Sequence, residues 1–336
     1  MNLKHLKYLI ILKYMFSILL SEINIYTHRH YDSDKILFNK FTNQTGIELN
    51  VIKGSADQLI QRLKSEGKDS PADVLISVDA GRLVRAKSLG LLQPVFSEEL
   101  NHNVPKLMRD SDNFWFGLSV RARVIVYAKD RVYENELSTY ENLTDPKWNG
   151  RIVIRSSNNI YNQSLLASIL EHNGRKGAIQ WAKLVRNNMA RKPRGNDRDQ
   201  ARAVANGVAD LAVINTYYLG LLANSPKKED RTAASKLKVF FPNQDDRGTH
   251  INVSGGAVTS SSKNKEEAVK FLEFLTKPEN QKIFAESNFE YPLDYQSAAS
   301  KTIAEWGTFK ADTLDLSALG KNNLEAVKIF DIAGWE

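Results

Sequence analysis

The chain has 336 residues, with 42% apolar and 25% charged side chains, the balance of a soluble globular protein long enough for two domains. It has a formal net charge of +7 and no cysteine, which excludes disulfide scaffolds, thiolate metal sites, iron–sulfur clusters, cysteine nucleophiles and cysteine-linked lipid anchors. Any metal site must use oxygen or imidazole donors.

Residues 1–21 combine Lys4, Lys7 and Lys13 with an apolar stretch of signal-peptide length. Lys13 interrupts that stretch, and Leu19 is a poor small-residue partner for a cleavage after Ser21. It is too short and broken for a membrane span. Export to a periplasm through an atypical signal is the expectation, with cleavage, retention or membrane association left open.

From Ile23 onward, strands and helices alternate. "INIYT" reads as a strand, and "DSDKILFNKFTNQTG" as a helix with Ile36, Leu37 and Phe41 on its apolar stripe. "IELNVIKG" is a second strand, and "SADQLIQRLKSEG" a helix capped by Ser55. "ADVLISVD" and "AGRLVRAKSLGLL" repeat the pattern, with Asp79 as the expected cap. Repeated β-α-β units imply a mostly parallel sheet covered by helices. "FWFGLSVRARVIVYAKD" breaks the rhythm as a strand long enough to pass from one lobe to another. "NGRIVIRS" and "ADLAVIN" are later buried strands, with helices "NQSLLASILEHN" and "KGAIQWAKLVRNNM" between them. "INVSGGAVTSSS" is a second crossing, its Gly255 and Gly256 read as sources of backbone freedom. A helical stripe of Ala268, Phe271, Leu272 and Leu275 follows, and Pro278 opens the next helix. Two α/β lobes joined by two crossings form a clamshell, with ligands expected beyond the carboxyl ends of strands.

The densest basic run, Arg186 to Arg202, is interleaved with Asp197 and Asp199 and lacks aromatics. It reads as a solvated helix end and loop, and no nucleic-acid partner is expected. His28, His102, His172 and His250 read as exposed or loop residues, and Tyr127, Tyr133 and Tyr140 as structural.

The strand ends are more specific. "INIYT" runs into His30 and Tyr31, "RIVIRS" into Tyr161, and "DLAVIN" into Tyr217 and Tyr218. Neighbours on a regular helix point about 100° apart, but at a strand-to-helix turn they can reach one point. Four phenols in a cleft suit a sugar or aromatic ligand through their faces, or a hard trivalent metal through their oxygens. A phenolate near neutral pH needs strong positive charge, which such an ion supplies. Four phenolates on Fe(III) sum to −1, and one arginine restores neutrality.

The segments "YTHRHYDSD", "PADVLISVDAGRLVRAKSLGLLQP", "FGLSVRARVIVYAKD", "GNDRDQARAVANGVADLAVINTYYLG", "NVSGGAVT" and "FLEFLTKPENQKIFAESNFEYPL" occur in order across Ile23 to Tyr295. Through them the chain resembles the ferric-iron-binding periplasmic proteins of ABC importers, of the cyanobacterial FutA type and related to FbpA. The resemblance implies a class II periplasmic binding protein, two α/β lobes joined by two hinge crossings with the cleft between them. The expected lobes are 22–119 plus 248–298, and 120–247 plus 299–336. It implies Tyr31, Tyr161, Tyr217 and Tyr218 as iron ligands and His30 as a further ligand, or water in its place. Arg121 matches a cleft arginine behind the ligands, with Arg123 on the same strand face as a competitor. Carbonate is a co-ligand in relatives with fewer protein ligands, and Ser156, Ser157 and Asn158 could donate to an anion or water. The implied role is delivery of Fe(III) cargo, as a monomer, to an inner-membrane ABC permease without catalysis. A solute-binding protein of the same fold for an organic solute or oxyanion is the alternative. An enzyme is disfavoured, since no G-x-S-x-G, H-E-x-x-H or phosphate loop is found.

Overall fold

The computed structural model describes residues 21–29, 31–297 and 300–336. His30 and most of the expected signal segment lie outside them. The first half of the sheet uses β1 (Glu22–Thr27), β2 (Glu48–Lys53) and β3 (Val74–Ser77), connected by α1 (Asp32–Thr45) and α2 (Ala56–Glu66) and followed by α3 (Ala80–Ser88) and α4 (Glu98–Asn103). The long β4 (Phe116–Ala128) then leads to β5 (Ile152–Val153), α5 (Ile160–Asn187), α6 (Asp197–Ala205), β6 (Leu211–Asn215), α7 (Thr216–Ala223), α8 (Lys228–Ser235) and β7 (Leu237–Phe240). The chain returns through β8 (Ile251–Val258) to α9 (Lys265–Thr276) and α10 (Pro278–Asn288), and ends in α11 (Lys301–Glu305), α12 (Ser317–Lys321) and α13 (Asn323–Ala333).

The strand order is β2-β1-β3-β8-β4-β6-β5, with β7 also on β4. β1 runs parallel to β2 and β3, and β5 parallel to β6. Every pairing of β4 and β8 is antiparallel, so the sheet is mixed where a mostly parallel one was expected. Both expected crossings exist as neighbours. β4 pairs with β8 from Phe116 to Ala122 and with β6 from Arg123 to Tyr127. All thirteen residues of β4 are buried, as a strand covered on both faces requires.

Local chemistry explains the elements. Ser55 caps α2 by accepting from Gln58 N at 3.3 Å, and Asp79 caps α3 by accepting from Arg82 N at 3.2 Å. On α1, Leu37 and Phe41 are buried but Ile36 is 48% exposed, so the apolar stripe is narrower than expected. Phe41 packs edge-on against Phe271 and Phe274 of α9, burial that contributes about 1.5–3 kcal/mol per large side chain. The two helices expected between β5 and β6 are both present within α5, separated at Gly174, whose φ of 66° and ψ of 173° are non-helical and suit glycine. Gly255 and Gly256 do not need glycine for backbone freedom, since neither has a positive φ. They are bare because α3 and α9 pack onto them: an added Cβ would lie 2.6 Å from Leu83 Cδ1 at position 255 and 2.6 Å from Leu272 Cδ2 at position 256. Among the described residues no helix is long and apolar enough to cross a membrane.

Candidate metal centre

Three helix starts carry the four tyrosines. Tyr31 is the N-cap of α1, with extended φ and ψ of −84° and 158°, and its N–H donates to Asp34 Oδ2 at 3.1 Å. Tyr161 is the second residue of α5, where Asn159 Oδ1 accepts its N–H at 3.2 Å. Tyr217 and Tyr218 are the second and third residues of α7, which begins directly after β6. They therefore sit inside a helical first turn, not at a turn outside the helix, and still share one site. Partial positive charge at each helix start favours anions there.

Three of the four phenol oxygens meet. Tyr217 Oη lies 3.1 Å from Tyr31 Oη and 3.2 Å from Tyr161 Oη. The Tyr218 ring lies against that of Tyr217, centroids 4.2 Å apart, and Tyr31 meets Tyr217 edge-on at 5.8 Å. Tyr217 is fully buried and Tyr161 nearly so, while Tyr31 and Tyr218 are half-buried. The ring faces are thus occupied by one another and by arginines. Arg121, Arg123 and Arg155 lie 5.3, 5.9 and 6.0 Å from the Tyr161 centroid, and Arg29 lies 4.8 Å from that of Tyr31. Surface grooves of about 560–640 Å³ exist, but none of the four tyrosines lines them.

The charges around the phenols form two ion-paired groups of three, with Arg121 beside them. Arg29 bonds Asp34 and Glu290, each at 2.8 Å, and also reaches Ser254 Oγ at 2.7 Å. Arg123 and Arg155 share Asp197 at 2.6 and 2.9 Å. Arg121 has no carboxylate partner among the described residues and bonds only Ser254 Oγ and the Val253 carbonyl, at 3.3 and 3.4 Å. Four arginines against three carboxylates leave one net positive charge, and Arg121 is the one of the four with no ion pair among the described residues.

Burial pushes the Tyr31, Tyr217 and Tyr218 phenols well above the ordinary value of 10, and neighbouring phenols add to the rise. Each has an arginine that opposes this: Arg29 for Tyr31, Arg121 for Tyr217 and Arg155 for Tyr218. Without a cation these groups stay neutral near pH 7. Burial works against the charge on Glu290, but Arg29 outweighs it and holds the carboxyl below its usual range.

The structure therefore brings Tyr31, Tyr161, Tyr217, Tyr218 and Arg121 together; the expected ligand His30 lies outside the described residues. Arg123 shares the Tyr161 ring but is committed to Asp197. Ser156 Oγ is bonded to Asn158, and Ser157 N donates to the Glu336 carbonyl at 3.1 Å. Asp79 caps α3 and in addition takes the Ser164 hydroxyl of α5 at 2.5 Å. His250, read as an exposed or loop residue, lies between strands as a loop residue but is buried, and burial lowers its pKa to about 3. Sequence reasoning missed Arg29, Arg155, Glu290 and the site role of Asp197. Asp197 sits within a basic run whose cations do face solvent, so only its full burial distinguishes it. Arg29 is two residues from Tyr31, which was an available signal. No cluster of three His, Asp or Glu able to hold a metal occurs among the described residues.

The chain is similar to known proteins over most of its length. The family described as bacterial extracellular solute-binding protein matches residues 69–315. Iron uptake protein A1 of Synechocystis sp. is 50% identical over 315 residues, covering 94% of this chain and 88% of that protein. A Trichodesmium structure described as IdiA (FutA) in complex with iron and citrate ligands superposes with a TM-score of 0.90 at 51% identity, covering 94% of this chain and all of the other. A ferric binding protein from Campylobacter jejuni gives a TM-score of 0.89 at 46% identity, covering 94% of this chain and all of the other. The periplasmic binding protein fold, with its two-lobe class II architecture, is the fold of this chain. The protein belongs to the bacterial extracellular solute-binding family, alongside the iron-uptake and ferric-binding proteins that its sequence resembles.

Proposed function

We propose that this protein binds Fe(III) between two lobes through Tyr31, Tyr161, Tyr217 and Tyr218 and delivers it, as a monomer in the periplasm, to an ABC permease. The lobes are 22–119 plus 248–298 and 120–247 plus 299–336. The observation that carries the reading is the Tyr217 oxygen at 3.1 and 3.2 Å from two phenols of other helix starts. Oxygens about 2.0–2.1 Å from a small hard cation sit roughly 2.8–3.4 Å apart at adjacent octahedral or tetrahedral positions. Fe(III) with four phenolates carries one negative charge, which the unpaired charge of Arg121 neutralises. His30, water or a carbonate-like anion completes the shell.

The relatives are named for iron uptake and ferric binding, which supports the same cargo. An organic solute is less well supported, because the aromatic faces it would stack on are already covered. Nothing in this role requires a bond in the cargo to break, so no catalysis is assigned. Purified protein given ferric citrate is expected to develop a phenolate-to-iron charge-transfer band that dithionite bleaches. Tyr217→Phe should lose most of that band and of the affinity. A wild-type protein that stays colourless, or a Tyr217→Phe protein with full affinity, contradicts the proposal.

A further inference from the structure

Two residues near the phenols are each poorly suited to their own backbone. Gly220 lies in the interior of α7, three residues after Tyr217, without a positive φ. Alanine would make a stronger helix there. Phe289, which ends α10, has a φ of 57° and ψ of 24°, a left-handed conformation that a bulky side chain rarely adopts. Each anomaly explains the other. A Cβ built at Gly220 would meet Phe289 Cβ and Cγ at 2.6 Å, so the absence of a side chain on α7 is what admits the aromatic ring.

The contact joins the two halves of the fold. α7 follows β6 on one side of the crossing strands, and α10 packs on α1 on the other. Phe289 is also held through the two residues that follow it. Glu290 pairs with Arg29 at 2.8 Å, and Arg29 lies over the Tyr31 ring. Tyr291 and Val120 exchange backbone hydrogen bonds at 2.8 Å, one residue from Arg121. Strain of this kind persists where the surroundings over-determine the conformation, and it points to a use.

From this we infer that Phe289 is a positioning residue, a fixed stop on the first lobe. It seats on bare Gly220 and sets how closely Tyr217 and Tyr218 approach Tyr31 when the lobes close. The inference rests on the ferric reading for its ligand, but the stop itself is a property of the fold.

The test uses the full chain, with wild type, Gly220→Ala, Phe289→Ala and a double variant that combines Gly220→Ala with Phe289→Gly. Release of iron from the ferric-loaded proteins to excess EDTA is followed by the charge-transfer band, and the metal-free proteins are compared by small-angle scattering and thermal melting. Gly220→Ala should release iron at least about tenfold faster, the scale that overpacking by one methyl predicts. Its metal-free form should be more open and melt no lower than wild type. The double variant should return toward wild type in both release rate and radius, because glycine at 289 removes both the ring and the Cβ that clash. Phe289→Ala alone should release iron severalfold faster with its melting unchanged or raised. If Gly220→Ala keeps both the wild-type radius and release rate, or if the double variant stays as impaired as Gly220→Ala, the inference is overturned. Should Gly220→Ala fail to fold, wild-type behaviour of Phe289→Ala overturns it. A wild type that takes up no iron refutes the ferric reading instead, and the radii then decide on the stop alone.

Discussion

Arg121 and Arg123 are two residues apart on one strand and both face Tyr161, yet they do different work. Arg123 is bonded to Asp197, Asn162 and Asn215, so its charge belongs to the folded framework. Arg121 has only a hydroxyl and a carbonyl, which leaves its charge available to an anionic centre. Arg121→Gln should weaken ferric affinity on the order of tenfold to a hundredfold, because the buried iron–phenolate group keeps an uncompensated negative charge. Competition titration against citrate measures this, and metal-free stability should hardly move. Arg123→Gln should instead cost about 3 kcal/mol in denaturant unfolding, since it strips one cation from a buried pair while Arg155 still holds Asp197. Equal effects of the two variants on affinity and on stability would contradict this division.

At the scale of elements, β8 is the strand on which both covering layers close. Leu83 of α3 rests on Gly255 and Leu272 of α9 on Gly256. Gly255→Ala places a Cβ 2.6 Å from Leu83 Cδ1 and 2.9 Å from the Phe116 carbonyl oxygen. The leucine can turn away, but the carbonyl belongs to a strand paired with β8 and cannot. Chemical unfolding should therefore show a loss of about 1–3 kcal/mol, whereas glycine needed only for flexibility would tolerate alanine. The sequence showed these glycines plainly but gave the wrong reason for them. Alternation patterns locate a strand, and they carry no information about which helix will press on its Cα atoms. β5 has a similar history: "RIVIRS" reads as a full strand, but only Ile152 and Val153 pair with β6 before the chain turns toward Asn159 and α5.

For the molecule as a whole, buried charge couples stability to pH. His250 has a folded pKa of about 3 against an ordinary 6.5, because it is buried among arginines. Between these values the unfolded chain binds a proton that the folded chain does not, so stability rises with pH across that window and falls on acidification. Metal-free protein should lose roughly 1–2 kcal/mol between pH 7 and pH 5 from this group. Urea unfolding at the two pH values checks it, and His250→Gln should flatten the difference. A pH-independent wild type would mean that the imidazole reaches solvent or a proton acceptor.

What the sequence determined by itself was the order of elements, the two crossings, and the placement of four tyrosines at three helix starts. Those follow from local patterns: apolar alternation, helical spacing, caps, and the abrupt joining of a strand to a helix. The resemblance across the chain then narrowed the chemistry of those tyrosines. Only the tertiary structure decided which charges surround them. Asp34, Asp197 and Glu290 are separated by long stretches of chain, and their pairing with Arg29, Arg123 and Arg155 depends on which faces are buried together. The same holds for Phe289 on Gly220, residues 69 positions apart whose contact exists only across two packed helices. Local propensity favours a side chain at Gly220 and a glycine at Phe289; the fold requires the reverse, because one ring has to fit against one bare Cα.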